Sequence, residues 1–271
     1  MVFKVIVFIL VLFIASSAYA LDYSLMLDGS QDYVRVGDDS VFDFSTGMTI
    51  EAWIKTFDTT SLRTIVSKWD DLHGDWSYIF KQWNGTDNLS IELSKGGHSD
   101  LARLIGVTHI STDTWIHVAT TFDGQYAKLY VNGLLDGSLL AVGSIHDSSA
   151  DLLIGAVNGW SGMEYFNGLI DEVRIWNYSR SQLDLLAWKD ASLIGNESGL
   201  VGYWNFDEGS GLTIHDLTVN GNNGQFEGSV NHPQWVLSDG KPGSSDVVPE
   251  PASFILLVLG LFAYQKLKNR A

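Results

Sequence analysis

The 271-residue sequence contains no cysteine, so no disulfide staples the fold. Basic residues are scarce, with 16 Lys and Arg against 32 Asp and Glu and a formal charge of −16. Four of the basic residues (Lys4, Lys266, Lys268, Arg270) and one acidic residue (Glu250) lie at the two ends. The stretch between them therefore carries 12 basic and 31 acidic residues, a charge of −19. Such acidity excludes nucleic acid as a partner, because phosphates need clustered Lys and Arg. It suits a metal-binding or simply soluble extracellular protein. No two of the seven histidines stand at a close ligand spacing such as His-x-x-x-His. No short-period repeat is present. The longest apolar runs are confined to the ends.

Those ends read as addressing segments. Residues 1–20 combine Lys4, an apolar run over 5–15 and the small-residue site Ala18-Tyr19-Ala20, the pattern of a secretory signal peptide. A transmembrane anchor is the alternative. At the other end come Pro249-Glu250-Pro251, an apolar run over 252–264, and the basic Lys266, Lys268 and Arg270. The apolar run is shorter than the roughly 20 residues of a full span, and the basic tail favours the cytoplasmic side. This tripartite order resembles the PEP-CTERM sorting signal of exported bacterial proteins. The resemblance implies a short membrane segment at 249–271, transient contact with the cytoplasmic membrane through 252–264, and an exosortase that cleaves near Pro249, Glu250 and Pro251. A retained tail anchor is the alternative. Both readings place the domain outside the cytoplasmic membrane.

Between the ends, short alternating stretches predominate. Residues 23–29, 33–36, 49–55, 64–68, 77–82, 88–93, 104–107, 114–122, 127–131 and 152–155 read as strands. Asn132-Gly133 marks a hairpin turn. The longest strand-like stretch is 165–176. With a period of two, Leu169, Asp171, Val173 and Ile175 share one of its faces, and Ile170, Glu172, Arg174 and Trp176 the other. Both faces are largely apolar, so it reads as a central strand in which Asp171 needs a strong partner. One short helix is expected near 181–194, with Ser181 as cap and Asp184 three residues on. Strand character returns at 200–206. Residues 239–248 read as a linker. The pattern predicts an all-β, antiparallel sandwich or jelly roll.

Five segments resemble, in order, laminin-G-like domains of the concanavalin A-like lectin/glucanase superfamily. They begin with Leu27-Asp28-Gly29-Ser30-Gln31-Asp32 and Thr49-Ile50-Glu51-Ala52-Trp53. Trp115-Ile116-His117-Val118-Ala119, Tyr130-Val131-Asn132-Gly133 and Asn167-Gly168-Leu169-Ile170-Asp171-Glu172-Val173-Arg174 follow. The resemblance implies a concanavalin A-like jelly roll over 21–238, with ligands at rim loops or on a concave face. The segment Gly199-Leu200-Val201-Gly202-Tyr203-Trp204 is also similar to the family, where it often precedes the Leu-Asp-Gly strand. Residues 199–238 then either complete the same sandwich as a permuted end or form a truncated second copy. About forty residues are too few for a second core, which favours completion. The fold implies no single function.

The candidate chemistry is that of a binding protein. Glucanases of this superfamily carry a Glu-x-Asp-x-x-Glu triplet, and none occurs here. Asp171 and Glu172 are adjacent on a strand, so they are expected on opposite faces and unable to act as the close pair that retaining hydrolysis needs. His117 alternates with Trp115 and Ala119 and reads as structural. The stretch 69–76 is the leading ligand candidate: Trp69 and Trp76 offer faces for sugar stacking, and Asp70, Asp71 and His73 offer polar groups. Asn158 and Trp160, with Tyr165, form a second aromatic-polar group. Packing of the tryptophans under their own loop is the alternative. Related sandwiches resemble an arrangement in which an early-strand acid and a late-strand aspartate share a structural calcium. That resemblance points to Asp28, the Gly29 turn and Asp171 as Ca²⁺ ligands, with backbone N–H bonds to Asp171 as the alternative. The sequence thus predicts an exported, non-catalytic, lectin-like module for a glycan or exopolysaccharide of the cell envelope or extracellular matrix. A structural or adhesive matrix protein and a glycoside hydrolase are the competing readings.

Overall fold

The computed structural model describes residues 21–83, 86–96, 99–159, 162–228 and 234–243. The expected signal peptide at 1–20, the expected sorting signal with Pro249, Glu250 and Pro251, and Trp160 lie outside the described residues. In chain order the strands are β1 (Tyr23–Asp28), β2 (Tyr33–Gly37), β3 (Met48–Thr56), β4 (Arg63–Asp70), β5 (Asp75–Gln82), β6 (Leu89–Gly96), β7 (Ser99–Ile105), β8 (Ile116–Phe122) and β9 (Tyr126–Val131). They continue with β10 (Leu134–Leu140), β11 (Leu152–Ile154), β12 (Ala156–Gly159), β13 (Gly162–Tyr165), β14 (Asn167–Trp176), β15 (Leu200–Trp204), β16 (Thr213–Ile214), β17 (Gly224–Glu227) and β18 (Gln234–Leu237). Among the described residues, one α-helix, α1 (Gln182–Trp188), lies between β14 and β15, and a 3-10 turn spans Ser40–Phe42.

Two sheets form a jelly-roll sandwich. The first runs β10-β9-β8-β3-β14-β1-β18, with β15 also paired to β14. The second runs β16-β17-β2-β11-β4-β5-β6-β7, with the hairpin β12–β13 attached to the end of β4. The alternating residues of both sheets meet in one core that includes Leu25, Ile54 and Val118 from the first sheet and Val66, Phe80 and Ile91 from the second. The last forty described positions are shared between the sheets: β15 and β18 join the first, β16 and β17 the second. They build no second core.

Strand β14 departs from a simple period of two. Its register to β3 shifts between Asp171 and Arg174, and Glu172 adopts φ 51°. Such a bulge inserts one residue and flips the faces beyond it. Ile170, Val173 and Ile175 therefore all face the core, whereas Leu169 packs with Trp53 and Trp115 on the outer face. The expected set Leu169, Asp171, Val173 and Ile175 is split. The bulge also places Asp171 and Glu172 on the same outer face, correcting the expectation that adjacent strand residues must oppose.

That outer face is covered. Ser181 caps α1 through a capping box with Asp184, and Leu185 packs on Ala119 and Tyr130. The helix ends at Trp188, short of the expected 194. The Trp53 Nε1–H donates to the carbonyl of Lys189 at 2.8 Å, and Trp115 Nε1–H to that of Asp239 at 3.2 Å. Residues 239–243, expected as the start of a linker, are thus docked on the sheet, and Lys241 is buried. On the outer face of the second sheet, the hairpin β12–β13 packs through Val157 on Trp69 and Ile79.

Candidate functional site

The stretch 69–76 is not a loop. Trp69 is the last but one residue of β4, Trp76 the second of β5, and only residues 71–74 turn between the strands. Lys68 pairs with Tyr78 and Trp69 with Trp76, which leaves Ser77 as an extra residue. This bulge turns Trp76 away from the core side of Tyr78 and onto the outer face with Trp69 and Ile79. The two indoles stack at 4.6 Å with planes 11° apart. Trp69 is only 5% exposed and forms a floor with Ile79 and Val157, while Trp76 is half-buried. The polar residues brace the turn. Asp70 accepts from the Leu72 and His73 N–H groups and from Asn158 Nδ2 at 3.0 Å, and Asp71 accepts from Trp69 Nε1 at 2.9 Å. The bond to Asp70 raises the pKa of the exposed His73. Asn158 also accepts from the Asp71 N–H through its carbonyl, tying β12 to the hairpin.

Beside this floor lies a depression of about 220 Å³ lined by Trp69, Trp76, Lys81, Trp83, Glu92 and Arg103, with Asp71, Asp100 and Glu164 at its sides. Register explains it. Ile79 pairs with Glu92 and Glu92 with Arg103, so three strands present one row outward. Glu92 binds Lys81 at 3.0 Å and Arg103 at 2.8 Å. Lys81 and Arg103 also lie over the ring of the half-buried Trp83, at 5.4 and 5.7 Å. Burial raises the pKa of Glu164, whose nearest cation is Lys81 at 3.9 Å. A second depression of about 230 Å³ adjoins Trp69 and Asn158 and is lined by Tyr33, Arg35, Asp70 and Asp151 among others. Among the expected residues, Trp69, Asp70, Asp71, Trp76 and Asn158 thus cluster, while His73 stands at the turn. Trp83, Lys81, Glu92, Arg103 and Glu164 were missed. Ile79, Lys81 and Trp83 alternate in the sequence, and that period carried the signal.

Residues 28–185, more than half of the chain, match the model of Laminin_G_3, described as concanavalin A-like lectin/glucanases superfamily. The chain belongs to the Laminin_G_3 family. Among solved structures, this Laminin_G_3 protein is similar to a "putative carbohydrate binding protein" from Bacteroides ovatus ATCC 8483, with 21% identity and a TM-score of 0.63. The match covers 81% of this chain and 61% of that one, so this chain spans about three-fifths of its length. It is also similar to Ruminococcus gnavus IT-sialidase CBM40 bound to alpha2,3 sialyllactose, with 16% identity, a TM-score of 0.52, and 60% and 95% of the two chains covered. At these identities the likeness shows the fold. No curated protein matches the chain.

The Laminin_G_3 sandwich does not assemble the expected calcium site. Asp28 pairs with Asn167, four residues before Asp171 on the ladder, which separates the two acids by roughly 13 Å along the strand. The Asp28 carboxylate accepts the Ser30 hydroxyl and the Ser30, Gln31 and Asp32 N–H groups, and the hydrogen bonds hold it at about 2 against the effect of burial. The Gly29 carbonyl faces Arg63 Nη1 at 3.5 Å. Asp171 accepts Ser238 Oγ–H at 2.8 Å and Lys241 Nζ–H at 2.6 Å. An ammonium stands where a cation would, so Asp28, Gly29 and Asp171 do not fit a shared Ca²⁺. Among the described residues, no group of three or more His, Asp or Glu is placed to hold a metal.

The covered face holds a second set of buried charges. Glu51 accepts from Trp176 Nε1 at 2.7 Å, from Arg180 Nη1 and from His117 Nε2 at 3.1 Å. Glu172 accepts from Arg174 and from the Tyr203 hydroxyl, the latter at 3.0 Å. These carboxylates are saturated by donors beneath α1 and the 238–243 segment. His117 is buried and structural in this network.

Proposed function

We propose that this protein is an exported, non-catalytic glycan-binding module whose site is the depression on the outer face of β5–β7 beside Trp69. The observation that carries the reading is the grouping of Trp69, Trp76 and Trp83 with polar side chains around this one depression. Indole faces suit the apolar faces of sugar rings, and flanking carboxylates and cations suit hydroxyls. The adjoining depressions on either side of Trp69 suit more than one sugar unit. The carbohydrate-binding proteins with a similar fold support the same reading. The non-catalytic part rests on Glu92, which is bonded to Lys81 and Arg103 at once and so is poorly suited to proton transfer. A glycan array on the purified protein tests the proposal. Wild type should retain at least one oligosaccharide, and Trp76→Ala with Trp83→Ala should lose it while the protein stays folded, with a smaller loss of stability than Trp69→Ala. Unchanged retention in the double variant would defeat the site assignment, and sugar release from the retained ligand would defeat the non-catalytic reading.

The same reading includes the ends. Residues 1–20 serve as a signal peptide, and the order Pro249-Glu250-Pro251, apolar run, basic tail serves as an exosortase-type sorting signal with transient membrane contact. The ligand would then be a glycan or exopolysaccharide met in the cell envelope or outside it. Mass spectrometry of the native protein should find an N-terminus at Leu21 and a C-terminus near Pro249. Intact termini would defeat this assignment.

A further inference from the structure

The glycan reading leaves the sugar class open, and the charges of the depression narrow it. Its lining holds two cations, Lys81 and Arg103, and four carboxylates, Asp71, Glu92, Asp100 and Glu164. Both cations are committed to one carboxylate. Glu92 Oε1 takes Lys81 at 3.0 Å, and Glu92 Oε2 takes Arg103 Nε at 2.9 Å and Nη2 at 2.8 Å. The other three acids are left with weaker compensation. Asp100 reaches Arg103 only at 3.5 Å, and Glu164 reaches Lys81 only at 3.9 Å. The Glu164 Oε2 atom is buried and accepts no hydrogen bond. A buried acceptor without a donor is costly, so the site is one donor short. Burial raises the Glu164 pKa first, and the Glu92 and Asp71 charges raise it further against Lys81.

Resting on the glycan reading, we propose that the tryptophan-floored depression selects a polysaccharide bearing free amino groups, a de-N-acetylated hexosamine polymer, over neutral and acidic glycans. A protonated sugar amine supplies both the charge and the hydrogen-bond donor that Glu164 lacks. The indole faces of Trp76 and Trp83 attract a cation as well as a sugar ring. A uronic acid or sialic acid carboxylate would instead approach Asp71, Asp100 and Glu164, with both cations already held by Glu92. The acidity of the whole chain, −16, acts in the same direction at longer range.

Calorimetric titration of the purified protein tests this with glucosamine oligomers, the matched N-acetylglucosamine oligomers, a neutral glucose oligomer and an oligogalacturonate. Measurements are made at mildly acidic pH, where the amine is charged. The free-amine oligomer should bind roughly tenfold tighter than its acetylated counterpart, a difference of about 1.4 kcal/mol. Added salt should erase that advantage without weakening any neutral ligand. Glu164→Gln keeps the shape and removes the charge, so it should remove the advantage of the amine over the acetylated oligomer. Asp100→Asn, at an exposed position, should reduce it in part. Equal binding of amine and acetylated oligomers, or a preference for the galacturonate, overturns this inference and leaves the glycan site standing. An amine advantage that Glu164→Gln leaves intact overturns it too, because the cation then binds elsewhere. An oligolysine that competes as well as the glucosamine oligomer shows mere charge capture and overturns it. Failure of every oligosaccharide to bind overturns the glycan reading itself.

Discussion

Lys241 Nζ lies 2.6 Å from Asp171 Oδ2, and the two side chains are 4% and 0% exposed. The same ammonium reaches Asp22 Oδ1 at 3.1 Å. A residue beyond the last strand thereby joins the first strand's entry to the centre of β14. Burial works against the Lys241 charge, but the Asp171 and Glu172 carboxylates outweigh it and hold the pKa above its ordinary value. Without disulfides, this pair fastens the C-terminal segment to the sheet.

Breaking that pair should be costly. Lys241→Met leaves Asp171 buried without its cation, and about 3–5 kcal/mol of stability should be lost in urea unfolding. Asp171→Leu combined with Lys241→Met should recover much of it, because the fully buried Asp171 charge is then no longer stranded and only the partly exposed Asp22 loses a partner. A double variant as unstable as the single one would show that the pair is not coupled as described.

Metal removal follows from the same geometry. Since Lys241 neutralises Asp171, chelator and added calcium should leave the wild-type melting temperature unchanged. A calcium-dependent rise that Asp171→Asn abolishes would show that the ion displaces Lys241.

The Glu51 network sets the acid response. Burial raises the Glu51 carboxyl, but the His117 bond and the Arg174 and Arg180 charges bring it down to about 2, below its ordinary 4.5. A depressed carboxyl contributes stability that is present above the unfolded value and lost as pH falls towards the folded one. Burial lowers His117 below 6.5 despite its bond to Glu51, so the unfolded chain takes up its proton first and stability falls below that pH as well. The melting temperature should therefore decline gently below pH 6.5 and steeply below 4.5. Glu51→Gln should lower it at neutral pH and flatten the acid limb. A variant with the wild-type pH profile would move the response to other groups.

The bulge residue Glu172 should matter through its carboxylate. Deleting it closes the bulge but leaves Ile170, Val173 and Ile175 inward and Arg174 and Trp176 outward, so the deletion variant should fold, with Arg174 and Tyr203 deprived of their acceptor. Glu172→Gly accommodates φ 51° and strands Arg174 in the same way. Both variants should therefore melt well below the wild type, as followed by circular dichroism. Native melting of either variant would refute the role given to the Glu172 carboxylate.

The tryptophans should divide by role. Trp69→Ala removes a buried ring and should cost about 3–5 kcal/mol in unfolding. Trp76→Ala and Trp83→Ala, at half-buried positions, should cost less and act on ligand retention. A Trp69→Ala protein with unchanged stability would make that ring a binding platform, as the sequence alone allowed.

By itself the sequence determined the sandwich. The alternation at residues 49–55 and 114–122, the Asn132-Gly133 turn and the Ser181–Asp184 cap are local patterns, and local backbone sterics and hydrogen bonding are enough to read them. It also marked Trp69 and Trp76 and, in a separate group, Asn158 as candidate ligand residues. Tertiary structure decided which faces those residues occupy. One inserted residue in β14 and one in β5 reverse the period of two, and no local pattern announces a bulge. Likewise, the partner of Asp171 lies 70 residues away at Lys241, and the Trp83 site draws on β5, β6, β7 and β13. A charge finds its counterion and a ring its neighbours through register between distant strands, and that register exists only once both sheets have formed.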